Sequence, residues 1–208
     1  MSSRRIRHHV NPLRSTLLAI SQVDMIVPPA DGLPVEVELG SGEAYFLMER
    51  AVETPGRHYV GVEIRREMVA WANEDAVARG VADRVVSVFA NISVDMQRLF
   101  PPGLVSRFFI NFPDPWFKAN QHKRRVIEPS LVNEMLRALR PDGEIYVNTD
   151  IFDLALDAMT AMEMDERLVN AAAPWTFVRQ TPFVARSRRE RQCELEERKI
   201  WRLHYRRV

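Results

Sequence analysis

The stretch Val35-Glu-Val-Glu-Leu-Gly-Ser-Gly42 carries the first decision about the fold. A short β-branched and aliphatic run stops at two glycines around a serine, which reads as a strand leaving into a tight turn. Working outward, Ala44 to Val52 has helical spacing, and His58 to Ile64 is a second short apolar run, hence a buried strand. Arg65 to Arg79 keeps Met68, Val69, Ala72 and Ala76 on one helical face and stops at Gly80. Further strands are expected at Arg84 to Phe89, Val105 to Ile110 and Glu144 to Asn148. Helices are expected at 94–99, 129–139 and 151–164, with a turn at Pro141-Asp-Gly143. Trp175 to Val178 and Lys199 to Tyr205 complete seven strands. Strands alternating with helices predict an α/β protein, a doubly wound and mostly parallel seven-stranded sheet in three α/β/α layers. Residues 1–30 are expected to be a basic arm, and 31–208 one domain.

Composition narrows the class. With 208 residues, 46% hydrophobic and 27% charged, the chain falls among folded globular proteins rather than disordered ones. Its lone Cys193 excludes an internal disulfide, points to a reducing compartment, and is expected to be a small buried side chain. The N-terminal residues lack the apolar core of a secretory signal, and no run reaches the ~18 apolar residues of a membrane span. The expectation is a cytoplasmic protein with no membrane contact and, lacking Cys-His spacing, no metal site. The net charge of +1 conceals an asymmetry. Residues 1–22 carry four arginines and no acid, residues 23–116 eight bases against fourteen acids, and residues 179–208 ten bases against four acids. Basic ends suit a phosphate-rich partner if folding gathers them, although solvated faces would read the same.

In a doubly wound sheet, ligands bind beyond the carboxyl ends of the strands, where strand order reverses. Polar groups recur at those expected ends: Glu38 with Gly40-Ser-Gly42, then Glu63, Asn91, Asn111 with Asp114, and Asp150. The glycine turn departs from the dinucleotide pattern G-x-G-x-x-G, since position 45 is Tyr, which disfavours close approach of a pyrophosphate. Glu63 can take both hydroxyls of a ribose and would repel a phosphate. A ligand with a ribose and a positive charge meets both conditions, as S-adenosylmethionine does; an NAD-binding domain is the alternative for this half.

Asn111-Phe-Pro-Asp-Pro-Trp-Phe-Lys-Ala-Asn-Gln-His-Lys-Arg-Arg125 follows the fourth strand. Pro113 and Pro115 forbid helix and inner-strand continuation, leaving a stiff corner with one carboxylate, one indole and then a run of cations. Trp116 would stack on a base or pack as a core indole. Lys118, His122, Lys123, Arg124 and Arg125 would meet phosphates or solvent.

These residues resemble those of the tRNA (guanine-N7)-methyltransferase family from about residue 33 onward. The similarity lies in Glu38-Leu-Gly-Ser-Gly42, Val62-Glu63, Asn91, Thr149-Asp150 and, above all, Asn111-Phe-Pro-Asp-Pro-Trp116 with Lys118 and His122-Lys-Arg-Arg125. More loosely, Arg7-His-His-Val-Asn-Pro12 is similar to the R-x-H-x-N-P of the family's eukaryotic branch. The resemblance implies a Rossmann-like class I methyltransferase fold that uses S-adenosylmethionine to form 7-methylguanosine in the variable loop of tRNA. It further implies that Glu38, Glu63 and Asn91, beside the Gly40 and Gly42 turn, hold the cofactor. Asp114 would be the active-site acid at the junction of cofactor and base. Lys118 and Asp150 would contact tRNA, and the family's T-x-x-E motif would fall on Ser187-Arg-Arg-Glu190. The chain departs from the family pattern at Ser187, Arg189, Asn91 and Ala44. Two rivals stay open: another methyltransferase, of the amino-group type, and a non-catalytic RNA-binding protein on the same fold. The amino-group loop needs adjacent prolines, and Asp114 separates them here.

Overall fold

The computed structural model describes residues 10–14, 24–115 and 127–208. The contacts expected of Trp116, Lys118, His122, Lys123, Arg124 and Arg125 lie outside those residues, as does most of the basic arm. The elements run β1 (Val35–Leu39), α1 (Tyr45–Glu53), β2 (His58–Glu63), α2 (Arg66–Ala78), β3 (Val85–Phe89), α3 (Ile92–Leu99) and β4 (Val105–Asn111). They continue with α4 (Pro129–Ala138), β5 (Leu139–Thr149), α5 (Phe152–Glu163), β6 (Leu168–Asn170), α6 (Arg188–Leu195) and β7 (Trp201–Arg207).

One seven-stranded sheet results, in the order β3-β2-β1-β4-β5-β7-β6. The first five strands are mutually parallel, and β7 is antiparallel to both β5 and β6. Chain order reverses across the β1–β4 pair, so the crevice above these two strands is the place where ligand-binding loops can diverge.

The sequence explains both faces. Val35, Val37 and Leu39 of β1 join Met96 and Leu99 of α3, Leu131, Met135 and Leu136 of α4 and Met159 and Met162 of α5 in one apolar layer. The other face buries Phe46, Leu47 and Ala51 of α1 and Ala72 and Ala76 of α2 against Tyr59, Phe109 and Tyr146. Each fully buried large side chain contributes about 1.5–3 kcal/mol. Charges intrude on this second face in satisfied form. Glu36, with no exposed surface, receives the Arg50 guanidinium at 3.1 Å and that of Arg107 at 2.7 Å. Arg107 in turn pairs with Glu144. Burial opposes ionisation of Glu144, but the His204 and Arg107 contacts outweigh it and hold its carboxyl at about 2.

Three sequence expectations shift. The sixth strand is Leu168–Asn170 rather than 175–178. Trp175 adopts φ 58, which no strand residue can hold, and Val178 makes only an isolated bridge to Arg202. The fifth strand starts earlier, at Leu139, because the Pro141-Asp-Gly143 turn bulges out within it. Register passes from Val105↔Leu139 to Arg107↔Glu144, and Asp142 takes φ 58 to let the chain rejoin. A short helix, α6, also forms where no regular element was expected.

Candidate active site

The ends of β1 to β4 and the loops that follow them surround a cavity of about 170 Å³ at the switch point. Gly40, Glu63, Arg65, Asn91, Asn111 and Asp114 are among the residues that line it. The glycine turn stays compact because both the Gly40 and Ser41 N–H groups donate to the Val62 carbonyl, at 2.8 and 3.1 Å. Gly40 sits at φ 79, a conformation that an L side chain adopts only under strain. Beneath the turn, Gly61 of β2 leaves room for the Ser41 hydroxyl. A Cβ there would stand 2.5 Å from Ser41 Oγ. Ala44, one of the departures from the family pattern, takes φ 52 at the start of α1. Its methyl is therefore a local strain of about 1–2 kcal/mol relative to glycine.

Glu38, 3% exposed, is joined to the cavity through Asn111, one of its lining residues. Asn148 Nδ2 donates to Asn111 Oδ1 at 2.9 Å, and Asn111 Nδ2 donates to Glu38 Oε1 at 2.8 Å, so two amides in series orient the carboxylate. Its second oxygen, Oε2, is buried with no hydrogen-bond partner among the described residues. Burial pushes the Glu38 carboxyl up to about 8, against the Asn111 hydrogen bond and with the Glu63 charge adding to the rise.

Glu63 is equally buried but saturated. It accepts the Gly42 N–H at 2.8 Å, the Arg65 N–H at 3.0 Å, and Arg65 Nε and Nη2 at 2.8 and 3.0 Å. Asn91 caps α3, its Oδ1 accepting the Ser93 N–H at 3.0 Å. Its Nδ2 donates to the Pro12 carbonyl at 2.9 Å, which draws the segment around Val10 and Pro12 onto the cavity rim. At Phe112 the backbone turns through φ 50 while its N–H donates to the Asn148 carbonyl at 2.7 Å. That left-handed corner, costing on the order of 1–3 kcal/mol, carries Pro113 and Asp114 into the wall between the main cavity and a smaller one lined by Thr149, Leu154 and Asp157.

The remaining sequence-named residues are not in this cavity. Asp150 is met by Arg189 Nη2 at 2.5 Å, with Arg198 at 4.0 Å. Ser187 is the N-cap of α6, its hydroxyl accepting the Glu190 N–H at 3.1 Å, and Glu190 pairs with Arg202 at 2.9 Å. Asp150 and Glu190 are thus each engaged with arginines away from the cavity. Sequence reasoning passed over Arg65, whose only signal was a cation two residues beyond the second strand's carboxylate.

The geometry defines a class: a Rossmann-like α/β fold with a glycine turn and acidic strand ends at its switch point, as in methyltransferases. The family model described as "Putative methyltransferase" matches residues 33–203. A tRNA (guanine-N(7)-)-methyltransferase of Synechococcus sp. (strain JA-3-3Ab) is 35% identical over 201 residues, 91% of this chain and 80% of its own. One from Synechocystis sp. (strain ATCC 27184 / PCC 6803 / Kazusa) is 31% identical over 97% of both chains. The chain belongs to the tRNA (guanine-N(7)-)-methyltransferase family. Among solved structures, geranyl diphosphate C-methyltransferase from Streptomyces coelicolor A3(2) shares the fold at TM-score 0.57 and 17% identity, over 84% of this chain and 71% of that one. No helix among the described residues is long and apolar enough to cross a membrane.

Proposed function

We propose that this protein is an S-adenosylmethionine-dependent methyltransferase that forms 7-methylguanosine in tRNA, at a guanine of the variable loop. One observation carries the cofactor half: Glu38, tied to the cavity-lining Asn111, keeps a buried carboxyl oxygen with no hydrogen-bond partner among the described residues. A neighbouring ammonium or sulfonium would draw Glu38 into its charged form and complete that oxygen, whereas an anionic nucleotide would oppose the ionisation. The residues present therefore fit such a cofactor. Glu38 would face its cationic portion, Glu63 its ribose hydroxyls, and the Gly40–Gly42 turn would admit it closely. When bound, the cofactor supplies a methyl group on a sulfonium centre.

What the chain's own residues then contribute is orientation. Guanine N7 presents an exposed lone pair and has no proton to lose. Asp114, at the wall between the two cavities, accepts hydrogen bonds from the guanine's donor edge or from the cofactor's ammonium, and so fixes approach. Pro113 and the Phe112 corner keep that carboxylate from drifting. The family's named relatives support tRNA as the partner.

The deciding experiment supplies radiolabelled cofactor and bulk tRNA from a strain lacking the modification, followed by nucleoside analysis. Labelled 7-methylguanosine is the expected product. Labelled methyladenosine would favour an amino-group methylase, and retained tRNA binding without label a non-catalytic protein.

A further inference from the structure

We propose that Arg65 competes with the cofactor's ribose for Glu63 and thereby sets how tightly an adenosine ligand is held. The proposal deepens the reading above and rests on Glu63 being the ribose carboxylate. Its ground is a count of acceptor positions. A carboxylate offers about four, and all four on Glu63 are taken. Two of the donors, the Gly42 and Arg65 N–H groups, belong to the backbone and hold the carboxylate in place. The other two belong to the guanidinium, which grips both oxygens at once, Nε on Oε1 at 2.8 Å and Nη2 on Oε2 at 3.0 Å.

A ribose diol donates two hydrogen bonds to the same pair of oxygens. It can do so only at the positions the guanidinium occupies, because the backbone donors cannot leave. The guanidinium lies beside the turn, with Nη2 3.7 Å from where a Cβ on Gly42 would be. Its displacement has a destination. Arg65 lies in the fields of Asp114 and Glu43 as well as that of Glu63, and its side chain keeps 19% of its surface in solvent. On leaving Glu63 the cation moves under the influence of Asp114 across the same cavity. Ribose binding and the electrostatic setting of the active-site carboxylate are then linked through one side chain. A lysine could not do the same, since a single ammonium cannot span both oxygens in the fork geometry.

The test measures Kd by calorimetry for S-adenosylhomocysteine and for its 2′,3′-dideoxy counterpart in wild type, Arg65→Met and Arg65→Lys. Removing the competitor should tighten S-adenosylhomocysteine by roughly three- to tenfold, with the lysine variant in between and the dideoxy ligand unchanged. The dideoxy control separates competition from a general effect on the cleft, and the lysine variant keeps a cation should the methionine variant fold poorly. Weaker binding of S-adenosylhomocysteine in both variants, or equal tightening of both ligands, would overturn the proposal while leaving the cofactor assignment standing. No binding of S-adenosylhomocysteine to wild type would remove the ribose reading and the competition with it.

Discussion

At the scale of single residues, two carboxylates divide the chemistry by their surroundings. Glu38 is held up at about 8 chiefly by burial. The native state therefore keeps a proton that the unfolded chain gives up at its ordinary value of 4.5. The Glu38 contribution to stability is complete below that value and is lost as pH rises toward 8. Glu38→Gln removes this loss, so in denaturant titrations at pH 5 and pH 8 its stability relative to wild type should improve at the higher pH. A gap independent of pH would mean that Glu38 is ionised throughout. Asp114 has a different task. As an acceptor and positioning group, its replacement in Asp114→Asn should lower kcat/KM by about 10²–10³-fold while leaving the shape of the pH profile between 6 and 9 unchanged. A steep wild-type dependence that vanishes in the asparagine variant, with binding intact, would make Asp114 a base instead.

At the scale of elements, the glycine turn depends on the strand beneath it. Gly61 pairs with Glu38 across β1–β2 and with Ser87 across β2–β3, and the Ser41 side chain rests on its bare Cα. Gly61→Ala must displace the turn, at a cost of about 1–3 kcal/mol. Chemical denaturation should show that loss, together with weaker S-adenosylhomocysteine binding. Unchanged affinity would show that the turn and the cofactor are uncoupled. Much of this architecture was legible beforehand. Short apolar runs located β1 to β4 to within a residue or two, because buried parallel strands have no polar face to disguise them. Glu38, Glu63 and Asn111 could be placed at strand ends for the same reason. What escaped was nonlocal. A three-residue β6 exists only through its pairing with β7, whereas the β-rich run 175–178 is stopped by the backbone at Trp175. The α6 helix is rich in charge and takes its place through Ser187 capping and the Glu190–Arg202 pair. Arg65 was invisible because a local pattern does not report which donors fill a carboxylate.

At the scale of the whole molecule, charge is less available than its count suggests. Arg186, Arg189, Arg191 and Arg202 are engaged with Glu194, Asp150, Glu49 and Glu190 respectively. Part of the basic tail is thus spent holding the sheet edge and α1 together. Affinity for tRNA should still fall with salt, with a log–log slope of roughly −4. Filter binding across a salt series reads this directly, and a flat response would remove the phosphate-surface reading.

The order of strands at the right-hand edge has a consequence for synthesis. β6 touches the sheet only through β7, and β7 is also the neighbour that completes β5. A nascent chain that has emerged through α6 already holds the glycine turn, Glu63 and the Asp114 corner. It has nothing yet to seat β6, and Glu144 and Glu190 still lack His204 and Arg202. The cofactor cleft can thus take shape on the ribosome while the arginine-bearing edge waits for β7. The two halves of the site would mature at different times.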